Sequence, residues 1–490
     1  MPVGRHLHRL FRGGRAACRI ARHRSKESVR ASGRIVWIIV ATLIYPCTLI
    51  LPSPDGLNHE AQAVLGVVLT GVMLWISEAL PLAATALLVL VLLGIIPTWQ
   101  QSLTFVGFAS PVVFFVIGAA AMGAAVEVTG LATRIAAILV RWAKGSPNRL
   151  YVQMLVSLPG FAFLVPSAIT RNAVLIPAYR DTLTAMGLGA SGRVGRALML
   201  ALGILNPLAS TALLTGGLTS VTASAIIGDF SWLRWFALMS VPYYLLICLG
   251  GIALRLMVGR FERPSTAAAA MSPAIPPFSL QEIKTILVVL FVSVLWLTDF
   301  IHGWSPAIPA LAGAVLLIFP RIGVLRWKDF ESRLSWGLVL TIGVSLSLAQ
   351  AMISTGAADW LGRQFVMLCM GSHENPLLFL ISMIVAAVIV HLAITNLAAC
   401  AALIIPIAMT IARSAGINPI MCALIITIVI NTVIFYPVQT AANLIAYESG
   451  YFSAADVGRL GVIMLGLTIL VSLAIAVPYW SLLGLALMSQ

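Results

Sequence analysis

Two long apolar segments of the sequence are each interrupted by a short polar cluster. Residues 166–172 read Pro-Ser-Ala-Ile-Thr-Arg-Asn within the segment 150–185, and Thr395-Asn396 interrupts the segment 374–411. A continuous membrane-spanning helix rarely holds such a cluster, whereas two half-helices that meet at a polar tip do so readily. Backbone N–H groups at the start of a half-helix attract an anion, and hydroxyl and carbonyl oxygens suit sodium. The clusters therefore predict two re-entrant hairpins whose tips bind an anion and sodium at mid-membrane.

A second polar break follows each tip at a similar distance. Residues 215–217 (Thr-Gly-Gly) begin 48 residues after Ser167, and residues 440–443 (Thr-Ala-Ala-Asn) begin 45 residues after Thr395. Interrupted segments at matching places in two halves of a chain point to the binding site of a repeat transporter. The alternative is that these small and hydroxyl residues only let helices pack closely.

The residues of the tips and breaks form the predicted site, and no catalytic residue is expected among them. The predicted contacts of the anionic substrate are Ser167, Arg171, Thr215, Thr395, Asn396 and Thr440. The predicted sodium ligands are Ser167, Thr170, Gly217, Thr219, Thr395, Asn396, Thr440 and Asn443.

Arg171 is the one charged residue at a predicted tip. An unpaired charge at the bilayer centre costs about 3 kcal/mol, so this side chain needs a polar partner. Direct pairing with a carboxylate or sulfate of the substrate provides one. The alternative is a structural role, in which Arg171 is hydrogen-bonded to a carbonyl or an acid within its own hairpin.

The elements that must position these residues are membrane helices. Hydrophobic residues make up 60% of the 490 positions, charged residues 9%, and the mean hydropathy is +1.02. Apolar runs of about 20 residues recur from Ile35 onward, and they are continuous rather than alternating, which predicts helices instead of a barrel. The net charge of +14 is explained by membrane topology, so no nucleic-acid partner is expected.

The chain divides into a basic tail, two repeats and a linker. Residues 1–34 hold ten Lys/Arg and one acid, which predicts a cytoplasmic N-terminal tail, with an organellar targeting segment as the alternative. The Pro-rich and Ala-rich stretch 259–278 is typical of a linker. It separates an N-terminal repeat, 35–258, from a C-terminal repeat, 279–490.

The fold predicted from these segments is an all-α membrane protein with about eleven transmembrane helices, two re-entrant hairpins and two inverted repeats. Continuous spans are expected over 107–140 and 335–365. If the two hairpins enter from opposite sides, nearly all Lys and Arg residues fall on one side, which satisfies the positive-inside rule. The prediction is a multi-pass protein of the cell inner membrane, with its N-terminus in the cytoplasm and its C-terminus outside.

At these motifs the chain resembles the divalent anion:sodium symporter family. The likeness covers nearly everything beyond residue 34 and is clearest in the stretches 75–87, 129–136, 355–360 and 439–447. The family has a Ser-Asn-Thr signature at each hairpin tip. Thr395-Asn396-Leu397 keeps the asparagine, whereas Ser167-Ala168-Ile169 loses both the asparagine and the threonine.

The resemblance implies a homodimeric elevator carrier of di- or tricarboxylates or sulfate, coupled to sodium. The family's breaks resemble Thr-Pro-Pro-Asn, a pattern of which Thr440 and Asn443 remain, while the first copy reads Thr-Gly-Gly-Leu over 215–218. Because the first tip departs from the signature, we hypothesise that Arg171 supplies positive charge that sodium would otherwise bring there.

Two other classes of function fit the sequence less well. A sodium/proton antiporter or another oxyanion carrier of the same superfamily is the main alternative, but proton antiport generally needs a carboxylate near the cation site, and neither polar tip contains one. An intramembrane enzyme needs a nucleophile with a base or a metal constellation, and the sequence offers neither pattern.

Overall fold

The chain is helical throughout the part that the computed structural model describes. The described residues are 35–77, 79–96, 100–143, 145–165, 167–189, 192–228, 230–262, 277–368, 376–394 and 397–488. Within these ranges the only β-pairing is a single bridge between Ile417 and Met488, so the all-α class is confirmed there. The basic tail 1–34, most of the linker, and the predicted site residues Thr395 and Asn396 lie outside the described residues.

Twenty-three α-helices follow one another along these ranges. The first eleven are α1 Ile35–Ile50, α2 His59–Ser77, α3 Leu82–Gly94, α4 Gln101–Thr104, α5 Pro111–Val128, α6 Leu131–Trp142, α7 Pro147–Leu164, α8 Ala168–Ala185, α9 Arg193–Thr211, α10 Leu218–Ile227 and α11 Trp232–Val258. The remaining helices are α12 Leu280–Leu297, α13 Asp299–His302, α14 Ala307–Ile318, α15 Trp327–Arg333, α16 Trp336–Ser354, α17 Ala357–Leu368, α18 Pro376–Ala393, α19 Leu397–Ser414, α20 Pro419–Thr432, α21 Ala441–Glu448, α22 Ala454–Val471 and α23 Val477–Leu482.

Many of these helices are built to lie in a bilayer. Six are long and apolar enough to cross it: α5, α9, α11, α12, α16 and the continuous helix Ala454–Leu482, in which a π-helical turn joins α22 to α23. Large apolar side chains point outward from several of them, such as Leu256 on α11, which is 77% exposed. Since such surfaces are stable in lipid and not in water, the chain is a multi-pass membrane protein.

Two predicted spans are each divided by a glycine. The structure ends α5 at Val128 and begins α6 at Leu131, so the expected continuous span over 107–140 is wrong. Gly130 lies between them with a φ of +76°, a left-handed conformation that favours glycine and turns the chain. Gly356 has the same φ of +76° between α16 and α17, which corrects the second expected span, 335–365.

Corresponding helices of the two halves have equal or similar lengths. The helices after the two left-handed glycines, α6 and α17, contain 12 residues each, and α7, α8, α18 and α19 contain 18 each. Thr129 and Thr355, which precede the glycines, each donate a hydrogen bond from Oγ1 to the carbonyl four residues earlier, at 2.7 Å. The same local chemistry therefore ends α5 and α16.

The broken segments of each half pack against the other half. Helix α10 lies against α19 and α20, while α21 lies against α8 and α9. Helix α9 is almost entirely buried: 89% of the residues in an 18-residue apolar stretch of it lie inside the protein. Because of this exchange, both polar breaks lie in the interior of the molecule and not on its lipid-facing surface.

Candidate functional site

Arg171 is completely buried at the start of α8 and is hydrogen-bonded to protein atoms. Its Nη1 donates to the carbonyl of Val165 at 2.7 Å, and its Nε donates to Oδ1 of Asn206 at 2.6 Å. Its Nη2 donates to the carbonyl of Asn206 at 2.8 Å and to Oγ of Ser210 at 3.2 Å. The fixed fork of the guanidinium thus ties the first hairpin tip to α9.

This geometry agrees in part with the structural role that the sequence left open for Arg171, since Val165 lies within the hairpin whereas Asn206 and Ser210 lie on α9. Four of its hydrogen bonds end on Val165, Asn206 and Ser210, all within the first half of the chain. A buried charge with several hydrogen bonds is held firmly in place, and its positive potential still reaches nearby polar space. Direct contact between Arg171 and an anion stays a prediction.

Asn172 and Asn206 extend this network to the second half. Asn206 Nδ2 donates to Oδ1 of Asn172 at 2.7 Å and to the carbonyl of Ala168 at 3.2 Å. Asn172 Nδ2 donates to the carbonyl of Ala442, in the first turn of α21, at 2.9 Å. Sequence reasoning missed Asn206, although a buried asparagine followed by a proline within the apolar helix α9 was a detectable signal.

The hydroxyl residues of the first tip lie at the surface of this network. Ser167 is the N-cap of α8, and its Oγ accepts a hydrogen bond from the backbone N–H of Thr170 at 3.2 Å. The side chain of Ser167 is exposed and that of Thr170 is half-buried. N-capping explains why the chain starts a new helix here, and it leaves lone pairs of the Ser167 oxygen available to a ligand.

The break before α21 contains a buried oxygen that lacks a partner. Thr440 is the N-cap of α21, and its Oγ1 accepts from the backbone N–H of Asn443 at 3.2 Å. Asn443 is fully buried; its Nδ2 donates to the carbonyl of Tyr436 at 3.4 Å, but its Oδ1 has no hydrogen-bond partner among the described residues. A buried acceptor without a donor costs about 1–3 kcal/mol, which a bound cation would recover.

The counterpart of this break in the first half starts two residues later than the sequence motifs indicated. Gly217 is the N-cap of α10 with φ −154° and ψ 146°, close to the φ −136° and ψ 147° of Thr440. Gly217 therefore corresponds to Thr440, and Ser220 to Asn443. Thr215 lies instead within the 3-10 turn Leu214–Gly216, at the place that Val438 holds in the turn Pro437–Gln439.

The side chains of this first-half break are buried, and most of them are hydrogen-bonded. Thr215 Oγ1 accepts a hydrogen bond from Nε1 of Trp232 at 3.4 Å, and Ser220 Oγ donates to the carbonyl of Thr211 at 3.0 Å. Thr219 is 1% exposed on α10. One turn along α10, the buried hydroxyl of Thr222 has no partner in the described chain, which makes it a further oxygen that the sequence did not single out.

The structure joins the predicted segments in two pairs. Helix α8 contacts α9 and α21, and Asn172 bonds the first turn of α21. Helix α10 contacts α19, the helix that follows the second predicted tip. The first tip is thus joined to the break before α21, and α10 to the helix after the second tip, whose residues Thr395 and Asn396 lie outside the described residues.

Comparison with known proteins gives a match over nearly the whole chain. The family model for the sodium:sulfate symporter transmembrane region matches residues 33–486. A sodium-dependent dicarboxylate transporter, SdcS, of Staphylococcus saprophyticus is 23% identical over 461 residues, which cover 88% of each chain. A membrane protein of Cupriavidus necator is 25% identical over 468 residues, which cover 89% of this chain and 90% of the relative.

A solved structure has a related fold. The YdaH transporter of Alcanivorax borkumensis superimposes with a TM-score of 0.50 at 16% sequence identity. The superposition covers 78% of this chain and 86% of that transporter. At this level of identity the likeness concerns the fold alone.

Proposed function

Because the chain belongs to the sodium:sulfate symporter family, it is a membrane transporter, and we propose that it carries small divalent anions by sodium-coupled secondary transport. The proposed substrates are di- or tricarboxylates or sulfate. The family and the dicarboxylate transporters among its relatives support the substrate class. The observation that carries sodium coupling is the buried, unpartnered Oδ1 of Asn443.

In this proposal the anion binds between the two hairpin tips and the two breaks. Its contacts are Ser167, Arg171, Thr215, Thr395, Asn396 and Thr440. Helices α8 and α21 both begin in this region, so their unpaired backbone N–H groups direct positive potential toward it. Arg171 adds a full charge that is fixed in place by Asn206.

The proposed sodium ligands are oxygen atoms of the same segments. They come from Ser167, Thr170, Gly217, Thr219, Thr395, Asn396, Thr440 and Asn443. Side-chain and backbone oxygens without competing positive charge suit a sodium ion, and Asn443 offers such an oxygen at the start of α21. The first tip already contains the charge of Arg171, so we infer that sodium binds mainly at the break before α21.

The proposed architecture has two inverted repeats, 35–258 and 279–490, with eleven spans and hairpins near 150–185 and 374–411. The matching helix lengths of the two halves support this division. Each hairpin follows a short helix, α6 or α17, that is bonded to the segment before α12 or α2, respectively, through Arg134 to Pro277 and Trp360 to Asp55. Such anchored arms suit an elevator mechanism, in which the hairpins and breaks move as one body.

The remaining parts of the proposal concern assembly and orientation. We propose a homodimer in the cell inner membrane, with the N-terminus in the cytoplasm and the C-terminus outside. The resemblance to elevator carriers supports the dimer, and the Lys and Arg distribution supports the orientation.

A thermal-stability panel on the purified protein tests the substrate class. Succinate, citrate and sulfate are each added with sodium chloride or with choline chloride at equal ionic strength. We expect the melting temperature to rise with at least one of these anions, and more in sodium, because ligands that bind only the folded state stabilise it. Stabilisation by cations alone would support a sodium/proton antiporter instead.

Uptake into proteoliposomes tests the role of Asn443. Asn443→Leu removes the unpartnered oxygen at similar volume, so we expect the sodium concentration for half-maximal uptake to rise about tenfold or more. Asn418→Leu is the matched control, since Asn418 caps the opposite end of α20 through bonds to Ile420 and Ala486. It should lower the melting temperature and leave the sodium requirement within about twofold of the wild type. Equal sodium requirements in the two variants would refute the assignment.

A further inference from the structure

A polar cavity lies at the end of α14, away from the transport site. It has a volume of about 370 Å³ and is lined by Gln281 of α12 and by residues 318–321 and 323–326. The loop that forms it folds back on its own helix, because the backbone N–H groups of Val324 and Leu325 both donate to the carbonyl of Leu317 at 2.9 Å. The cavity is therefore shaped by a hydrogen-bonded loop between α14 and α15.

Arg321 adopts an unusual conformation in this loop. Its φ is +70°, and it is the one non-glycine residue at positive φ in the described chain. A non-glycine residue in this region is strained, and such strained residues cluster at binding sites. Arg321 and Arg326 are both among the residues that line the cavity.

The two arginines carry charge that the described part of the protein does not compensate. Both side chains are exposed, and neither guanidinium takes part in an ion pair or a hydrogen bond within the described residues. The nearest carboxylate on α12, Glu282, is engaged by Arg134, with 2.6 Å between Nε and Oε1. The cavity thus presents two positive charges to whatever enters it.

Exposed apolar and aromatic side chains surround these charges. Phe319 is 51% exposed, Ile322 58% and Trp327 61%. On the adjoining helices, Val315 of α14 is 60% exposed and Leu280 of α12 is 68% exposed. Aromatic residues beside basic ones are typical of the boundary between the hydrocarbon core and the lipid headgroups. The cavity therefore lies at the depth in the membrane where phospholipid headgroups are found.

We propose that this cavity binds the phosphate group of an anionic phospholipid, whose acyl chains run along the exposed faces of α12 and α14. Arginine binds phosphate through paired N–H donors, and basic residues near a membrane attract anionic lipid. The corresponding place in the first half, after α3, supplies a contrast. A cavity of about 560 Å³ lies there, but no charged residue is among its lining residues.

The test measures lipid binding by purified full-length protein in a neutral detergent. Dioleoyl phosphatidylglycerol is titrated against dioleoyl phosphatidylcholine, and the melting temperature and the lipids retained in native mass spectrometry are recorded. We expect the wild type to prefer phosphatidylglycerol. In the double variant Arg321→Gly with Arg326→Gln, the lipid concentration for half-maximal stabilisation should rise at least about tenfold.

The choice of substitutions separates lipid binding from folding. Glycine relieves the left-handed strain at position 321, so Arg321→Gly should keep or raise the melting temperature in lipid-free detergent while losing lipid. The matched control is Arg141→Gln with Arg149→Gln, which removes two exposed arginines from elsewhere on the surface. This control should bind phosphatidylglycerol like the wild type.

Three results would overturn the proposal. The first is equal stabilisation of the wild type by the two lipids. The second is unchanged phosphatidylglycerol binding in the Arg321 and Arg326 double variant, or an equal loss in the control pair. The third is stabilisation by soluble glycerol phosphate at the same concentrations, which would identify a site for free anions and not for lipid.

Discussion

The first hairpin tip, at the start of α8, and the break before α21 differ in how their buried polar groups are hydrogen-bonded. At the tip, the charged side chain of Arg171 donates hydrogen bonds to Val165, Asn206 and Ser210. At the break, no charged side chain lies in the described segment 433–443, and the Oδ1 of Asn443 has no hydrogen-bond partner among the described residues. Two capped helix starts that lie against each other therefore differ in charge: one holds a cationic side chain, and the other holds a buried acceptor without a donor.

The largest expected effect concerns Arg171. Arg171→Gln leaves buried acceptors of Val165 and Asn206 without their donors, so we expect a loss of about 3 kcal/mol in the free energy of unfolding. The loss should be visible as a lower melting temperature of the ligand-free protein, with weakened anion binding. Arg149→Gln, an exposed control, should change the free energy by less than about 0.5 kcal/mol.

This measurement distinguishes the two roles of Arg171. If the anion is its main partner, the ligand-free protein keeps the wild-type melting temperature and only anion affinity falls. If uptake and stability both stay normal, the difference between the first tip and the break before α21 has no effect on transport or folding.

The next effect concerns the hydrogen bond that joins the first hairpin tip to the break before α21. Asn172→Leu keeps most of the side-chain volume but leaves the carbonyl of Ala442 and the Nδ2 of Asn206 without these partners. We expect a loss of about 2 kcal/mol in the free energy of unfolding, measured as a lower melting temperature. Asn148→Leu is the control, because Asn148 is exposed at the start of α7. Equal melting temperatures for the two variants would mean that the bond to α21 contributes little.

A smaller effect is expected where α9 approaches Asn443. A methyl group at Gly203 would lie 2.5 Å from the Oδ1 of Asn443, so Gly203→Ala must displace the amide. We expect a cost of about 1.5 kcal/mol and the loss of stabilisation by sodium. Gly160→Ala meets no atom within 4 Å and should keep the sodium effect. A normal response to sodium in Gly203→Ala would argue against a cation at this oxygen.

The smallest effect concerns the N-terminal ends of α9 and α20. Glu262 accepts hydrogen bonds from the backbone N–H groups of Arg193 and Val194 at the start of α9. Partial burial raises the pKa of Glu262, but these hydrogen bonds and the charge of Arg193 together lower the pKa by more, so the net shift is downward. The neutral Asn418 caps α20 instead.

The downward shift fixes the sign of the pH dependence. A carboxylate with a lowered pKa in the folded state stabilises the protein above its unfolded pKa, and this contribution is lost as the pH falls through the folded value. We expect Glu262→Gln to remove about 0.5 kcal/mol at pH 7 and almost nothing at pH 3, as measured by melting temperature. A difference that grows toward low pH would contradict this sign.

The sequence predicted the helical class and the interruptions before α8 and α21 well, since both follow from local composition. Ser167 and Thr440 are N-caps, a role that their residue types favour. The division of two spans at Gly130 and Gly356 was missed, because one glycine within an apolar run is compatible with a continuous helix. Only the φ of each residue shows that the chain turns there.

The network around Arg171 could not be predicted for a different reason. Asn206 lies 35 residues after Arg171, and no sequence spacing relates a hairpin tip to the middle of the next helix. Likewise, Thr215 lies in the 3-10 turn and Gly217 caps α10, and residue types alone do not show which of the two begins the helix. Both depend on how elements pack, and packing between distant segments leaves little local signal.

The exchange of α10 and α21 between the halves has a consequence for biogenesis. During translation the first half enters the membrane before α21 exists, so the partner of Asn172 at Ala442 arrives late. The acceptors of Arg171 at Val165, Asn206 and Ser210 have all been synthesised by then. The buried charge of Arg171 can therefore be hydrogen-bonded before the second half is made, whereas the bond from Asn172 to Ala442 forms only after it.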